Sequence, residues 1–123
     1  MKYDYNALMK EIYEEVRALG IPVSGNIEPE VQINTRAKKR YGRCMRLHGE
    51  KYEYRIEVSA YLEDKDENCV RSVLAHELLH TCPRCMNHKL LWKTYAGKMN
   101  NAYSYTALRQ RRRKRLWSTR RNR

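Results

Sequence analysis

The stretch that decides the fold runs from Val73 to Trp92 and reads V-L-A-H-E-L-L-H-T-C-P-R-C-M-N-H-K-L-L-W. His76 and His80 are four residues apart, so on a helix their side chains lie one above the other on the same face. Glu77, next to the first histidine, can lean toward whatever the two imidazoles bind. This spacing predicts a zinc site with His76 and His80 as ligands, a water at an open position, and Glu77 as the general base.

A zinc site of this kind needs a third protein ligand, and the rest of the sequence narrows the choice. No Asp or Glu follows Glu77, which excludes a carboxylate from a later helix. One HExxH subclass has a glycine three residues after the second histidine and another histidine three residues further on. Pro83 and Met86 occupy those positions here, so the sequence excludes that subclass as well.

The remaining candidates are one histidine and two cysteines downstream, with His48 well upstream. We expect His88 to complete a site for one zinc ion, because it begins the inward face of the helix predicted after the chain reversal. One alternative stays open, in which four ligands close a structural zinc site that has no open position and no catalysis. Its ligands would be His80, Cys82, Cys85 and His88.

The remainder of the chain switches between helical and extended periodicity. Asp4 can cap an amphipathic helix that Gly20 ends. Across residues 27–60 the period changes to two, which predicts strands with a hairpin connection at residues 48–51. A turn-like acidic segment, residues 62–68, then leads into the HExxH helix and a further helix. The order of elements predicts an α+β protein.

Positive charge is concentrated in the last third of the chain, within a net charge of +12. Residues 1–77 contain 13 basic and 14 acidic side chains, whereas residues 78–123 contain 13 basic and none acidic. This asymmetry favours a polyanionic partner, with DNA as the first candidate and no sequence preference. The candidate contacts, nine basic groups and one aromatic ring that can stack on an unpaired base, are Arg109, Arg111, Arg112, Arg113, Lys114, Arg115, Trp117, Arg120, Arg121 and Arg123.

The length and the N-terminal sequence limit the classes of protein to which the chain can belong. With 123 residues, the chain is predicted to form one domain, residues 1–105, followed by a basic and flexible tail, residues 106–123. No stretch approaches the length of a membrane span, and the first residues, M-K-Y-D-Y-N, contain no apolar signal region. We therefore expect a cytoplasmic or nucleoid-associated monomer without a membrane partner, whose cysteines are thiols or metal ligands.

Five segments of the chain together suggest a family: Tyr41-Gly42-Arg43-Cys44, Ile56-Glu57-Val58-Ser59, His76-Glu77-Leu78-Leu79-His80, Asn87-His88 and Leu91-Trp92-Lys93. They resemble the SprT-like metalloprotease family, whose members include the Spartan proteases that degrade protein crosslinked to DNA. The similarity covers about residues 1–105. Two features differ from the family: Lys89 follows the third histidine where a glycine is frequent, and the arginine tail stands where many relatives have a zinc ribbon.

The resemblance implies a minimal zincin-like fold, in which an N-terminal helix packs on a small three-stranded sheet. It also assigns His76, His80 and His88 to zinc and Glu77 to catalysis. The expected function is a zinc metallopeptidase that cleaves protein at or near DNA, with Tyr103 or Tyr105 as a candidate to assist at the oxyanion. The alternative is a non-catalytic, zinc-stabilised nucleic-acid-binding protein.

Deleting residues 109–123 is predicted to remove most of the affinity for DNA and to flatten its salt dependence. Each phosphate contact on duplex DNA contributes about −0.9 to the slope of log affinity against log salt. Titrations of the full-length and shortened chains at several salt concentrations measure that slope. A slope that does not change after the deletion would contradict DNA binding by the tail.

Overall fold

The computed structural model describes residues 2–105, so the tail and all of its predicted nucleic-acid contacts lie outside the described residues. Residues 2–105 have an α+β fold with a three-stranded mixed sheet, which confirms the predicted class. The main elements in chain order are α1 (Tyr5–Ala18), β1 (Gln32–Asn34), β2 (Gly42–Arg46), β3 (Tyr54–Ser59), α2 (Glu67–Leu79) and α3 (Leu90–Tyr103).

Helix α1 begins and ends where the sequence predicts. The Asp4 side chain accepts a hydrogen bond from the Ala7 N–H (3.0 Å), which satisfies one of the unpaired donors of the first turn. Gly20 has a φ of +75° just after the helix, a left-handed conformation that glycine adopts without steric cost. The helix buries one face at a spacing of three to four residues: Tyr5, Leu8, Ile12 and Val16.

The sheet has the order β1-β3-β2, so β3 is central and β2 is an outer strand. Strand β1 pairs with β3 in parallel and β2 pairs with it in antiparallel fashion, as the predicted hairpin requires. Strand β1 is shorter than the alternating pattern suggests, because its flanks bond elsewhere. The Val31 N–H donates to the Asn6 side chain of α1 (2.8 Å), and the Asn34 side chain accepts from the Arg36 N–H (2.8 Å) and turns the chain.

Helix α2 is the centre of the packing. It contacts α1, α3 and the two strands β2 and β3, and every residue from Ser72 to Leu79 is buried. The segment before it is more regular than the predicted turn: Ala60–Asp64 form a 3₁₀ helix, whose first turn is capped by Ser59. No helix among residues 2–105 combines the length and the apolar character needed to cross a bilayer.

Arg71 of α2 joins three parts of the fold. Its guanidinium contacts the carboxylates of Glu11 and Glu15 on α1 and of Glu67 one turn earlier in α2 (2.9 Å for Glu67). The hydrogen bond that Arg71 donates to Glu11 is the main cause of the raised pKa of Arg71. The side chain of Arg71 is only 19% exposed, whereas those of Glu11 and Glu67 are 58% exposed, so the half-desolvated guanidinium depends on three carboxylates at once.

Replacing Arg71 with methionine is predicted to lower the free energy of unfolding by about 1–3 kcal/mol, since the acidic groups of α1 would lose their shared partner. Chemical denaturation measures the change. The matched control is Arg46→Met, whose partner Glu53 lies at the surface (side chains 54% and 43% exposed), and it should change stability by less than about 1 kcal/mol. Equal effects of the two substitutions would contradict a special role for the Arg71 cluster.

Candidate metal centre

Three histidines converge at one end of α2. The Nε2 atom of His88 lies 3.0 Å from Nε2 of His80 and 3.0 Å from Nε2 of His76. His76 and His80 are buried and His88 is half-buried. The possible ligand atoms of all three lie within 4.8 Å of one another, so among residues 2–105 this cluster can hold a metal ion.

The chain reversal after α2 returns His88 to the other two histidines. Helix α2 ends at Leu79, and His80 is its C-cap. Arg84 adopts a left-handed conformation (φ of 62°), and the Cys85 N–H donates to the Cys82 carbonyl (3.1 Å), which closes a tight turn. The reversal therefore depends on backbone geometry within a few residues of Pro83.

The prediction that His88 begins the third helix is wrong, because α3 begins only at Leu90. The Asn87 side chain accepts a hydrogen bond from the Lys89 N–H (3.2 Å), a local contact that competes with helix formation. His88 consequently lies in the turn before α3. Its imidazole still points to the cluster, so the error concerns the element and not the grouping of the three histidines.

The backbone of the reversal also fixes the tautomer of His80. Its Nδ1 lies 2.6 Å from the carbonyl oxygen of Cys85, and a carbonyl can only accept a hydrogen bond. Nδ1 is therefore the nitrogen that carries the hydrogen, and Nε2 of the neutral ring presents a lone pair to the cluster. Contacts of this kind hold metal-binding histidines in position in known sites.

Trp92 of α3 forms a floor beneath the histidines. Its ring centroid lies 4.7 Å from that of His76, 4.6 Å from that of His88 and 5.6 Å from that of His80. Its indole N–H donates to the backbone carbonyl of His76 (3.4 Å), and the residue is 1% exposed. The sequence placed Trp92 on the inward face of a helix but gave no sign that one ring would touch all three imidazoles.

Glu77 lies beside the cluster and is not part of it. Its Oε2 is 4.0 Å from Nε2 of His76, and its side chain is 9% exposed. Strand β2 passes close to this carboxylate at Gly42. A Cβ at position 42 would lie 2.8 Å from a methyl group of Val73, 3.0 Å from Cγ of Glu77 and 3.1 Å from its Oε2. Only glycine lets the strand approach α2 this closely.

A cleft of about 330 Å³ opens above the histidines. Residues 40–44, which lead into and begin β2, form part of its wall, and Met86, the three imidazoles and Glu77 line it as well. Cys44 contributes a thiol to this wall, and burial together with the nearby charge of Glu77 raises its pKa to about 12. The cleft thus combines a carboxylate and a possible metal site next to an outer strand.

Cys82 and Cys85 do not join the metal cluster, so residues 2–105 do not assemble the four-ligand alternative. Both are buried free thiols, and burial raises the pKa of Cys82 to about 12. Cys85 contributes its backbone carbonyl to His80 instead of its sulfur.

Tyr103 and Tyr105 are also placed away from the cleft, and their predicted role at the oxyanion is wrong. Both hydroxyl groups donate to Glu15 of α1, that of Tyr103 to the backbone carbonyl (3.2 Å) and that of Tyr105 to the carboxylate. Burial and the contact with Glu15 raise the pKa of Tyr105 to about 12. The tyrosine that lines the cleft is Tyr41.

Zinc fits the nitrogen geometry of the cluster. Tetrahedral zinc with bonds of about 2.0–2.1 Å would place two ligand nitrogens roughly 3.3 Å apart. The separations of 3.0 Å here are close to that value. Three histidine ligands would leave a fourth position open, which distinguishes a catalytic from a closed structural site.

Comparison with known proteins found no match to a family model, to a curated protein or to a solved structure. The function must therefore be argued from the geometry of the cluster and the cleft.

Zinc content is predicted to depend on the histidines and not on the cysteines. Changing a residue that only hydrogen-bonds to a metal ligand weakens metal binding by roughly 10–100-fold. Removing a ligand itself, in His76→Ala or His88→Ala, should weaken zinc binding by more than that. Cys82→Ala and Cys85→Ala should keep one zinc per chain. Elemental analysis after dialysis against a zinc buffer measures this. Loss of zinc in the cysteine variants and its retention in His76→Ala would support the closed four-ligand site.

Proposed function

We propose that the protein is a zinc-dependent metallopeptidase of the SprT-like type that cleaves protein at or near DNA. The observation that carries the proposal is the convergence of the three histidine Nε2 atoms with the Glu77 carboxylate beside them in an open cleft. A purely structural zinc site would not need a buried carboxylate that lies next to the ligands but does not bind the metal. Burial of a charged group is costly, so its presence favours a role in catalysis.

The residues of the cleft divide the chemistry between them. A zinc ion held by the histidines would supply a Lewis acid for the scissile carbonyl and would lower the pKa of water. Glu77 accepts the proton of the attacking water and later gives it to the leaving amine. The backbone of Gly42 packs against the Glu77 side chain and limits the movement of its carboxylate. Trp92 and the Cys85 carbonyl hold the imidazoles.

The outer strand β2 supports a peptide as the substrate. It is the last strand of the sheet on the side of the cleft, and its first residues line the cleft wall. An extended peptide can add to such an edge through backbone hydrogen bonds. Edge addition would bring a peptide bond next to the histidines without demanding a particular side chain.

The resemblance to the SprT-like family supports the same proposal at the level of single residues. The segments that carry it include Gly42, which packs on Glu77, and Trp92, which packs on the histidines. The DNA partner rests on the charge asymmetry of the chain, with 13 basic and no acidic residues after position 77.

Replacing Glu77 with glutamine is predicted to lower hydrolysis by about 10²–10⁴-fold, the usual contribution of a general base, while zinc content and thermal stability stay unchanged. The substrate is an unfolded protein that carries self-quenching dyes, whose fluorescence rises on cleavage. Hydrolysis is measured with and without single-stranded DNA. The matched control is Glu14→Gln, an exposed glutamate of α1, which should keep full activity.

Hydrolysis that persists in the Glu77→Gln protein would contradict the proposed base. A zinc-loaded wild-type protein that binds DNA and cleaves nothing would favour the non-catalytic alternative, in which the metal only stabilises the fold.

A further inference from the structure

The segment that forms one wall of the cleft is strongly basic. No acidic residue occurs between Glu30 and Glu50, whereas six basic residues do. Residues 40–44 of this segment line the cleft beside the histidines. Arg40 and Arg43 are the basic residues of this segment that line the cleft, so a peptide that enters it meets their positive charge. The six basic residues are Arg36, Lys38, Lys39, Arg40, Arg43 and Arg46.

The hydrogen bonds between β2 and β3 define which backbone groups face the open edge. The Leu47 N–H donates to the carbonyl of Glu53 across the hairpin (2.8 Å). Bonded and non-bonded residues alternate along an antiparallel ladder, so odd-numbered residues of β2 bond to β3. Gly42 and Cys44 then direct their N–H and C=O groups to the open edge. An added peptide strand would bond to these two residues.

Successive residues of β2 lie on opposite faces of the sheet. Gly42 faces α2, and Arg43 points to the opposite face, where Glu57 of β3 is its partner in the register. The Glu57 carboxylate is already contacted by Arg40 (3.5 Å) and by the Asn34 amide (3.1 Å). Arg43 is exposed and forms no ion pair with any other residue of the described range 2–105.

We propose that Arg43 selects extended peptides that carry Asp or Glu opposite it on the open edge of β2. The inference rests on the proposed metallopeptidase function, because it assumes that a peptide occupies the cleft. In antiparallel pairing, a residue opposite Arg43 forms a non-hydrogen-bonded pair, whose Cβ atoms approach to about 4.5–5.5 Å. Its side chain lies on the outer face of the sheet, so an acidic group there does not compete with the histidines. Arg40 contributes less, because Glu57 holds its guanidinium.

Peptide binding to the full-length, zinc-loaded Glu77→Gln protein tests the proposal without cleavage. The probes are fluorescein-labelled, neutral, unstructured peptides in which one Glu, Gln or Lys is moved through successive positions, and fluorescence anisotropy gives their affinities. At the position opposite Arg43, Glu should bind roughly two- to fivefold more tightly than Gln, and Lys more weakly than Gln. The preference should decline as salt is added.

Arg43→Glu in the same background should reverse the order, so that the Lys peptide binds most tightly. Arg43→Gln should remove the preference and leave the affinity of the neutral peptide unchanged. The matched control is Lys51→Glu, which changes the net charge equally at an exposed position in the connection between β2 and β3. That variant should keep the preference for Glu.

A ranking of peptides that does not reverse in Arg43→Glu, or that reverses equally in Lys51→Glu, overturns the proposal. If Arg43→Glu weakens binding of single-stranded DNA and leaves the peptide ranking unchanged, the surface is a nucleic-acid contact and the proposal is wrong. Hydrolysis by the protein with Glu77 intact is measured separately. Its absence contradicts the metallopeptidase function and does not alter the ranking of bound peptides.

Discussion

The approach of the His88 Nε2 atom to 3.0 Å from Nε2 of both His76 and His80 is the constraint on which the rest of the structure depends. Two of the rings come from the last turn and the C-cap of α2, and the third comes from the turn before α3. Their convergence requires α2 to end at Leu79 and the chain to reverse within a few residues. The burial of Trp92 under the rings couples this reversal to the docking of α3.

The sheet also contributes to the surroundings of the histidine cluster, through strand β2. Gly42 brings β2 into contact with Glu77 and Val73, at a distance that no other residue would permit without displacement. One short strand therefore limits the movement of the carboxylate, forms the cleft wall and offers its backbone at an open edge. Arg43 projects from the outer face of the strand, so in the proposed function its contact with a peptide would be separate from the chemistry at the histidines.

The sequence predicted the class of fold, the capped first helix, the hairpin and the three residues of the cluster. These follow from local patterns: the four-residue histidine spacing, the alternation along β3 and the Asp4 cap. The position of His88 before the helix was missed, because periodicity does not register a side-chain contact such as that of Asn87 with the Lys89 N–H.

Contacts between residues that are far apart in the chain were the other feature that the sequence did not predict. Tyr103 or Tyr105 was a candidate to assist at the oxyanion, yet the end of α3 lies against α1 and both hydroxyl groups reach Glu15. The contact of Trp92 with three rings and the close approach of Gly42 to Glu77 also join residues far apart in the chain. A glycine within an extended segment was the available signal for the second of these, since such glycines often mark a close backbone approach.

X-ray absorption at the zinc edge of the loaded protein tests the central claim most directly, because it identifies the atoms bound to the metal. A site of three histidines with an open position predicts nitrogen and oxygen scatterers at about 2.0–2.1 Å, with the multiple scattering of imidazole rings and no sulfur. Sulfur scatterers at about 2.3 Å would show that Cys82 or Cys85 binds the metal and would contradict the account.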